Sequence, residues 1–258
     1  MPSVLIDIHE SVATITLNRP DKLNSFNREM ALLLQDKLDE CATNDGVRCI
    51  YITGAGKGFC AGQDLAEVVD PEGPGMQKIL SEHYNPIITR LRTIPKPIVA
   101  AVNGVAAGAG ANLAFACDIV VASQNASFLQ AFSKIGLIPD SGGTFHLPRL
   151  IGFQKASALM MLGDKISAED ALQMGMLYKI FGEDVFVSES KKIASTLAAM
   201  PTKALGYIKH VLNQSLSNGL ADQLALEDEF QQKAAATADF KEGVAAFLEK
   251  RKPNFNGN

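Results

Sequence analysis

The chain has 258 residues, 47% hydrophobic and 20% charged, a composition that belongs to an ordinary globular protein and leaves disorder to the ends. A formal charge of −4 without a basic run argues against nucleic acid as a partner, and no segment reaches the roughly 18 apolar residues of a membrane span. Cys41, Cys49, Cys60 and Cys117 show neither CxxC spacing nor alternation with histidine, so they read as buried small hydrophobes of a reducing compartment, without metal or disulfide. With no basic-then-apolar leader after Met1, the expectation is a soluble, cytoplasmic protein.

Two β-branched runs come first, Val4 to Ile8 and Val12 to Leu17; the second alternates like a half-buried strand, and the two predict a hairpin. Phe26, Met30, Leu33, Leu34, Leu38 and Cys41 recur at helical spacing, the stripe of an amphipathic helix. Val47 to Thr53, Pro97 to Val102 and Asp118 to Ala122 are short apolar runs ended by glycine or polar turns, and their repetition predicts an α/β core with buried strands. Between the first two lies Pro71-Glu72-Gly73-Pro74-Gly75, read as a mobile loop able to cover a pocket, followed by a helix from Met76 to Leu91. Past residue 165 the pattern turns helical. Ser167 with Asp170 opens a helix that Gly175 stops, and Leu177 to Phe181 is the one further strand candidate. A last helix runs from about Asp239, with Glu242 three residues on, towards Pro253, and carries Phe240, Val244, Phe247 and Leu248 on one face. The expected division is a core over residues 1–195 and a helical oligomerisation region over 196–258.

Two glycine-rich segments follow predicted strands, Gly54 to Leu65 and Asn103 to Leu113. Neither is a nucleotide signature: Gly58 follows Lys57 where a phosphate loop needs Ser or Thr, and Gly108-Ala109-Gly110 lacks the third glycine of a dinucleotide fingerprint. Each leads into a helix whose first N–H groups have no intrahelical acceptor and whose dipole favours negative charge, so the pair can form an oxyanion hole. Small residues that let a helix pack tightly on a sheet are the other reading of either loop. A third segment, Gly136 to Thr144, holds Asp140 on a bend shaped by Pro139, Gly142 and Gly143, where a solvated turn residue and a lone acid–base group both fit. Asp140-Ser141-Gly142-Gly143 is also the tetrapeptide around a serine-protease nucleophile, but His9, His83, His146 and His210 show no patterned partnership with Ser141 and read as surface or satisfied core residues.

With Asn18-Arg19-Pro20, Leu23-Asn24-Ser25, Phe59 to Leu65, Pro95-Lys96-Pro97, the run from Asn103 to Asp118 and Gly136 to Thr144, the chain resembles the crotonase family, the enoyl-CoA hydratase/isomerase superfamily, over essentially its whole length. The resemblance implies an α/β fold with a crotonase-like ββα-superhelix core and a C-terminal helical trimerisation region, assembled as a homotrimer or hexamer. It implies a thioester carbonyl polarised by the backbone N–H groups of Gln63 and Ala109, with Asp140 as the catalytic acid–base. Where the family's hydratases place two glutamates, this chain has Asn112 and Phe132, neither of which exchanges a proton at neutral pH, so the implied reaction is isomerisation rather than two-carboxylate hydration. Coenzyme A enters as the substrate's thioester, with no cofactor and no metal. Its contacts are implied at Lys22, Leu23, Ala61, Asp64, Leu65, Gly110, Asn112 and Phe132, with Phe247 and Lys250 reaching in from a neighbouring subunit. Val105 to Leu113, Ala131 to Asp140 and Gly243 to Arg251 look most like the isomerases of phenylacetate breakdown; an enoyl-CoA hydratase and a non-catalytic CoA-binding protein of the same fold are the alternatives. The apolar Phe132, Ile135, Leu137 and Ile138 around Asp140 predict a raised carboxyl pKa.

Overall fold

A computed structural model describes residues 1–258. The alternating run at the N-terminus pairs as its pattern predicts: β1 (Val4–His9) and β2 (Val12–Leu17) are antiparallel. Glu10 and Ser11 turn between them with φ of 47° and 62°, the left-handed pair of a tight hairpin turn, although neither is glycine or asparagine. The helical stripe follows as α1 (Arg28–Thr43), with Asn27 as its cap, accepting from Met30 N at 3.0 Å. Phe26, expected inside that helix, lies before it and forms an isolated bridge with Gln63.

The chain then repeats a unit. Each of β3 (Cys49–Gly54), β5 (Ile98–Val102) and β7 (Ile119–Ser123) enters a large sheet and is followed by a short strand of a second one: β4 (Gly58–Cys60), β6 (Val105–Ala107) and β8 (Ser127–Leu129). A helix follows the first two pairs, α2 (Leu65–Val69) after β4 and α5 (Ala109–Phe115) after β6, while β8 runs into a 3₁₀ turn at Ala131–Ile135. Between α2 and β5, the expected helix after Met76 is one continuous path of three geometries: α3 (Gly75–Lys78), a π-turn (Ile79–Tyr84) and α4 (Asn85–Thr93). Pro71 to Pro74 stay outside any helix, turned tightly against α2: a Cβ on Gly73 would sit 2.4 Å from the Glu67 carbonyl oxygen.

The remaining elements are α6 (Gly143–Ile151), α7 (Phe153–Leu162), β9 (Lys165–Ser167), α8 (Ala168–Met174), β10 (Lys179–Phe181), α9 (Phe186–Ala198), α10 (Thr202–Ser215), α11 (Leu220–Ala235) and α12 (Ala238–Glu249). The large sheet has the order β1-β2-β3-β5-β7-β10 and is parallel from β2 onward; the small one has the order β4-β6-β8-β9. Continuous apolar strands make sense because the large sheet is covered on both faces. Ile50, Ile52, Ile98 and Ala100 point into the main core with Leu34 and Leu38 of α1, while Cys49, Tyr51, Val99 and Ala101 meet Phe186, Ala194 and Ala198 of α9.

Two boundaries differ from the pattern-based reading. Ala198 belongs to the core, so the expected break after residue 195 would cut α9, and the chain leaves the core at Pro201. The last helix is capped by Thr237, whose hydroxyl accepts from Phe240 N at 3.1 Å. Asp239, expected as its start, lies one residue inside, buried, and holds the returning chain by accepting from Asn256 N and Gly257 N, both at 2.8 Å.

Candidate active site

Strand pairing explains how residues 46 positions apart meet. β4 and β6 run parallel, with Gly58 opposite Val105 and Cys60 opposite Ala106, so the loops leaving them, Ala61 to Asp64 and Gly108, emerge side by side. A Cβ on Gly62 would lie 3.0 Å from the Ala107 carbonyl oxygen and 3.5 Å from Ala109 N. Gly62 and Gly108 both have positive φ, 90° and 53°, which lets the backbone turn sharply enough for this approach. Behind them, a Cβ on Gly110 would be 2.3 Å from the Cys60 carbonyl oxygen. Gly110, expected to touch the ligand, is therefore demanded by packing of α5 on β4.

Both expected donors are uncommitted. Phe26 donates its N–H to Gly62 O at 2.7 Å and accepts from Asp64 N at 2.8 Å, which leaves the Gln63 N–H, on the opposite edge of its peptide, outside the ladder. Ala109 opens α5, and its N–H has no intrahelical acceptor. Two neighbouring amides free of protein acceptors are what a developing oxyanion requires.

Asp140 is tied to the same helix. Asn112, one turn beyond Ala109, donates from Nδ2 to the Asp140 main-chain oxygen at 2.9 Å and accepts at Oδ1 from Gln130 Nε2 at 2.8 Å. A Cβ on Gly143 would fall 2.4 Å from Asn112 Nδ2, so glycine there admits the brace. Asn112 was expected to contact the ligand; it is instead fully enclosed, and its amide is spent on holding the Asp140 turn. The Asp140 carboxylate accepts from Ser141 Oγ at 2.9 Å. Burial pushes its pKa up, and the Ser141 hydrogen bond opposes that only in part. The direction matches the expectation, but its reason does not: Ile135, Leu137 and Ile138 are exposed, Ile138 at 81%, and only Phe132 of the named apolar set is buried. Phe132 lies across the second loop, its ring 3.5 Å from where a Cβ on Gly108 would be.

Of the other expected contacts, Lys22, Leu23 and Ala61 come together, with Ala61 N donating to Leu23 O at 3.0 Å, and Leu65 is exposed at the start of α2. Asp64 is occupied structurally: it accepts from Arg19 Nη2 at 2.9 Å and caps α2 through Ala66 N at 3.2 Å. Phe247 and Lys250 project from the end of α12, Phe247 83% exposed, with no hydrogen bond or ion pair to the first loop. Pattern reading passed over Gln130, Tyr84 and Glu67, which hold these loops from 18 to 21 residues away or from the next helical turn and carry no periodic signal. His83, read as satisfied or surface, is buried with Nδ1 unpartnered, and burial lowers its pKa. His146 is pushed down to about 4, first by burial, so both rings stay neutral near pH 7. All four cysteines are free and buried. A cleft of about 920 Å³ between the core and α10 reaches Gly142 and His146 but not Asp140, Gln63 or Ala109, so it is a separate cavity.

A profile of the enoyl-CoA hydratase/isomerase family matches residues 7–258, and the chain belongs to that family. It is 47% identical over 260 residues to the 1,2-epoxyphenylacetyl-CoA isomerase of Escherichia coli (strain K12), an alignment covering 100% of this chain and 99% of that protein. The 2,3-dehydroadipyl-CoA hydratase of the same organism is 35% identical over 257 residues, with both chains fully covered. A solved enoyl-CoA hydratase from Polaromonas sp. JS666 superposes with a TM-score of 0.90 at 35% identity, covering 98% of this chain and 99% of its own. The chain is thus an enzyme of the crotonase fold, with the ββα repeat and helical C-terminal region that its motifs imply. No helix is long and apolar enough to cross a membrane.

Proposed function

We propose that this enzyme is an acyl-CoA isomerase in which Asp140 moves a proton between two carbons of a substrate whose thioester oxygen is held by the Gln63 and Ala109 amides. The carrying observation is the half-buried Asp140, whose main-chain oxygen is fixed through Asn112 to the helix that begins with a free donor amide. Removing a proton beside a thioester creates an enolate; a preorganised amide in a dry site stabilises that charge by about 3 kcal/mol. One carboxylate then returns the proton elsewhere, and the enclosed Asn112 and apolar Phe132 supply no second acid for water. The 47% identity to an epoxyphenylacetyl-CoA isomerase favours ring-1,2-epoxyphenylacetyl-CoA as the substrate. Lys22, Leu23, Ala61 and Leu65 would receive the CoA portion. The exposed apolar face of α12, with Phe240, Val244, Phe247 and Leu248, supports assembly into a trimer or hexamer.

The reading is tested with 3-enoyl-, 2,5-dienoyl- and epoxyphenylacetyl-CoA, followed by mass-neutral spectral change and by deuterium uptake from D₂O. Asp140→Asn should abolish turnover and exchange while leaving acyl-CoA affinity within a few-fold. Retention of most of the rate, or a product heavier by one water, would overturn it.

A further inference from the structure

We propose that the Gln63 side chain is a clamp that aims its own backbone amide at the thioester oxygen, and that Tyr84 and Glu67 are positioning residues acting through it. This rests on the oxyanion reading above and goes beyond it, because that reading asks only for a backbone N–H at position 63.

Both ends of the Gln63 carboxamide are held. Tyr84 Oη donates to Oε1 at 3.0 Å, and Nε2 donates to Glu67 Oε2 at 2.8 Å. The orientation follows from chemistry: a carboxylate only accepts, so the NH₂ must face Glu67, and the carbonyl is left for the phenol. Glu67 is in turn fixed at its other oxygen, which accepts from Arg28 N at 2.8 Å. Tyr84 is almost fully buried, and burial raises its pKa well above the usual value, so it remains a neutral donor. Its ring also meets Phe26 edge-on, with centroids 5.8 Å apart. Phe26 is the residue that pins the peptides on either side of Gln63.

The need for a clamp comes from the neighbour. Gly62 at φ 90° places few steric limits on its own torsions, so the Gly62–Gln63 peptide that carries the donor could rock about its anchor. Its carbonyl end is tied to Phe26 N. The Cα end is held by the next peptide, whose Asp64 N donates to Phe26 O, and by the Gln63 side chain, which reaches the last residue of the π-turn and α2. Two anchors on opposite sides of the peptide leave the N–H one direction to point.

The test uses Tyr84→Phe, which removes one hydroxyl, and Gln63→Ala, which keeps the backbone donor but removes the clamp. Each is made alone for kinetics and in an Asp140→Asn background for infrared difference spectra of a bound acyl-CoA carrying a ¹³C=O thioester. The expected result is a kcat at least about tenfold lower with KM changed less than about threefold, since the lost interaction is one realised on charge development. The carbonyl band of the bound thioester should move back towards its free position in both variants. If kcat and the carbonyl band stay put while only the melting temperature falls, the contacts are structural and the proposal is wrong. Absence of any band shift in the Asp140→Asn parent would instead overturn the oxyanion reading itself.

Discussion

Asp140 carries two opposed demands, and they can be separated experimentally. Its pKa is raised by burial, so the folded protein binds that proton more tightly than the unfolded chain does. The stability it contributes is therefore present below the unfolded carboxyl pKa and is lost as pH rises through the folded value. At pH 7 Asp140→Asn should melt at the same temperature as the parent or higher, the gain shrinking in acid, while activity is lost; a clearly lower melting point would contradict this. In the proposed reaction the ionised form is the base, so kcat/KM should be flat near neutrality and fall on acidification. The inflection should lie above the ordinary aspartate value of 3.8, and a pH–rate profile with solvent-viscosity controls reads it directly. Asp140 was legible as a candidate because Pro139 and Gly142 punctuate its segment. Its burial was attributed to the wrong residues: the segment from Ile135 to Ile138 loops outward after the 3₁₀ turn, and apolar letters close in sequence do not face inward there.

At the level of elements, the site is a product of the second sheet. β3, β5 and β7 were visible as apolar runs because both their faces are buried, but β4, β6 and β8 are three residues each, too short for a period to show, and they are the strands that juxtapose the donor loops. The Gly-rich segments could be recognised as loops entering helices; that they touch each other depended on this unseen pairing. Gly110→Ala probes the contact. The new methyl would meet Cys60 O at 2.3 Å and Cys60 Sγ at 2.7 Å, and backbone cannot yield cheaply, so we expect about 3 kcal/mol of destabilisation in urea titrations together with a lower kcat as α5 shifts. Preserved stability would show that α5 can slide on β4. Long-range side-chain partners such as Asn112 with Gln130 were illegible for a different reason: hydrogen bonds between side chains of separate elements follow no spacing rule.

Across the whole molecule, a partly buried charge cluster helps fasten the helical C-terminal region to the core, beside the hydrogen bonds from Arg48 to Met200, Thr202 and Phe255. Lys209 of α10 places Nζ 2.9 Å from Asp118 Oδ2, and that same oxygen accepts from Ile98 N at 2.8 Å, at the first residue of β5. Arg92 flanks the pair, 3.5 Å from Asp118 Oδ1. Lys209→Met keeps most of the volume but strands a largely buried carboxylate, a loss of about 2 kcal/mol or more. Native-state hydrogen exchange should then show α10 opening before the central strands, whereas uniform loss of protection would mean the region and core unfold as one.

The side-by-side emergence of the two glycine-rich loops has a consequence for how such a chain can change over time. Because the amides inherit their separation from the β4–β6 register, deleting or inserting one residue in either loop would displace one donor by about 3.3 Å, a full strand step. Point substitutions away from Gly62, Gln63 and Gly108 alter side chains and leave that separation standing. Lineages of this enzyme should therefore vary in letters at these loops far more readily than in loop length.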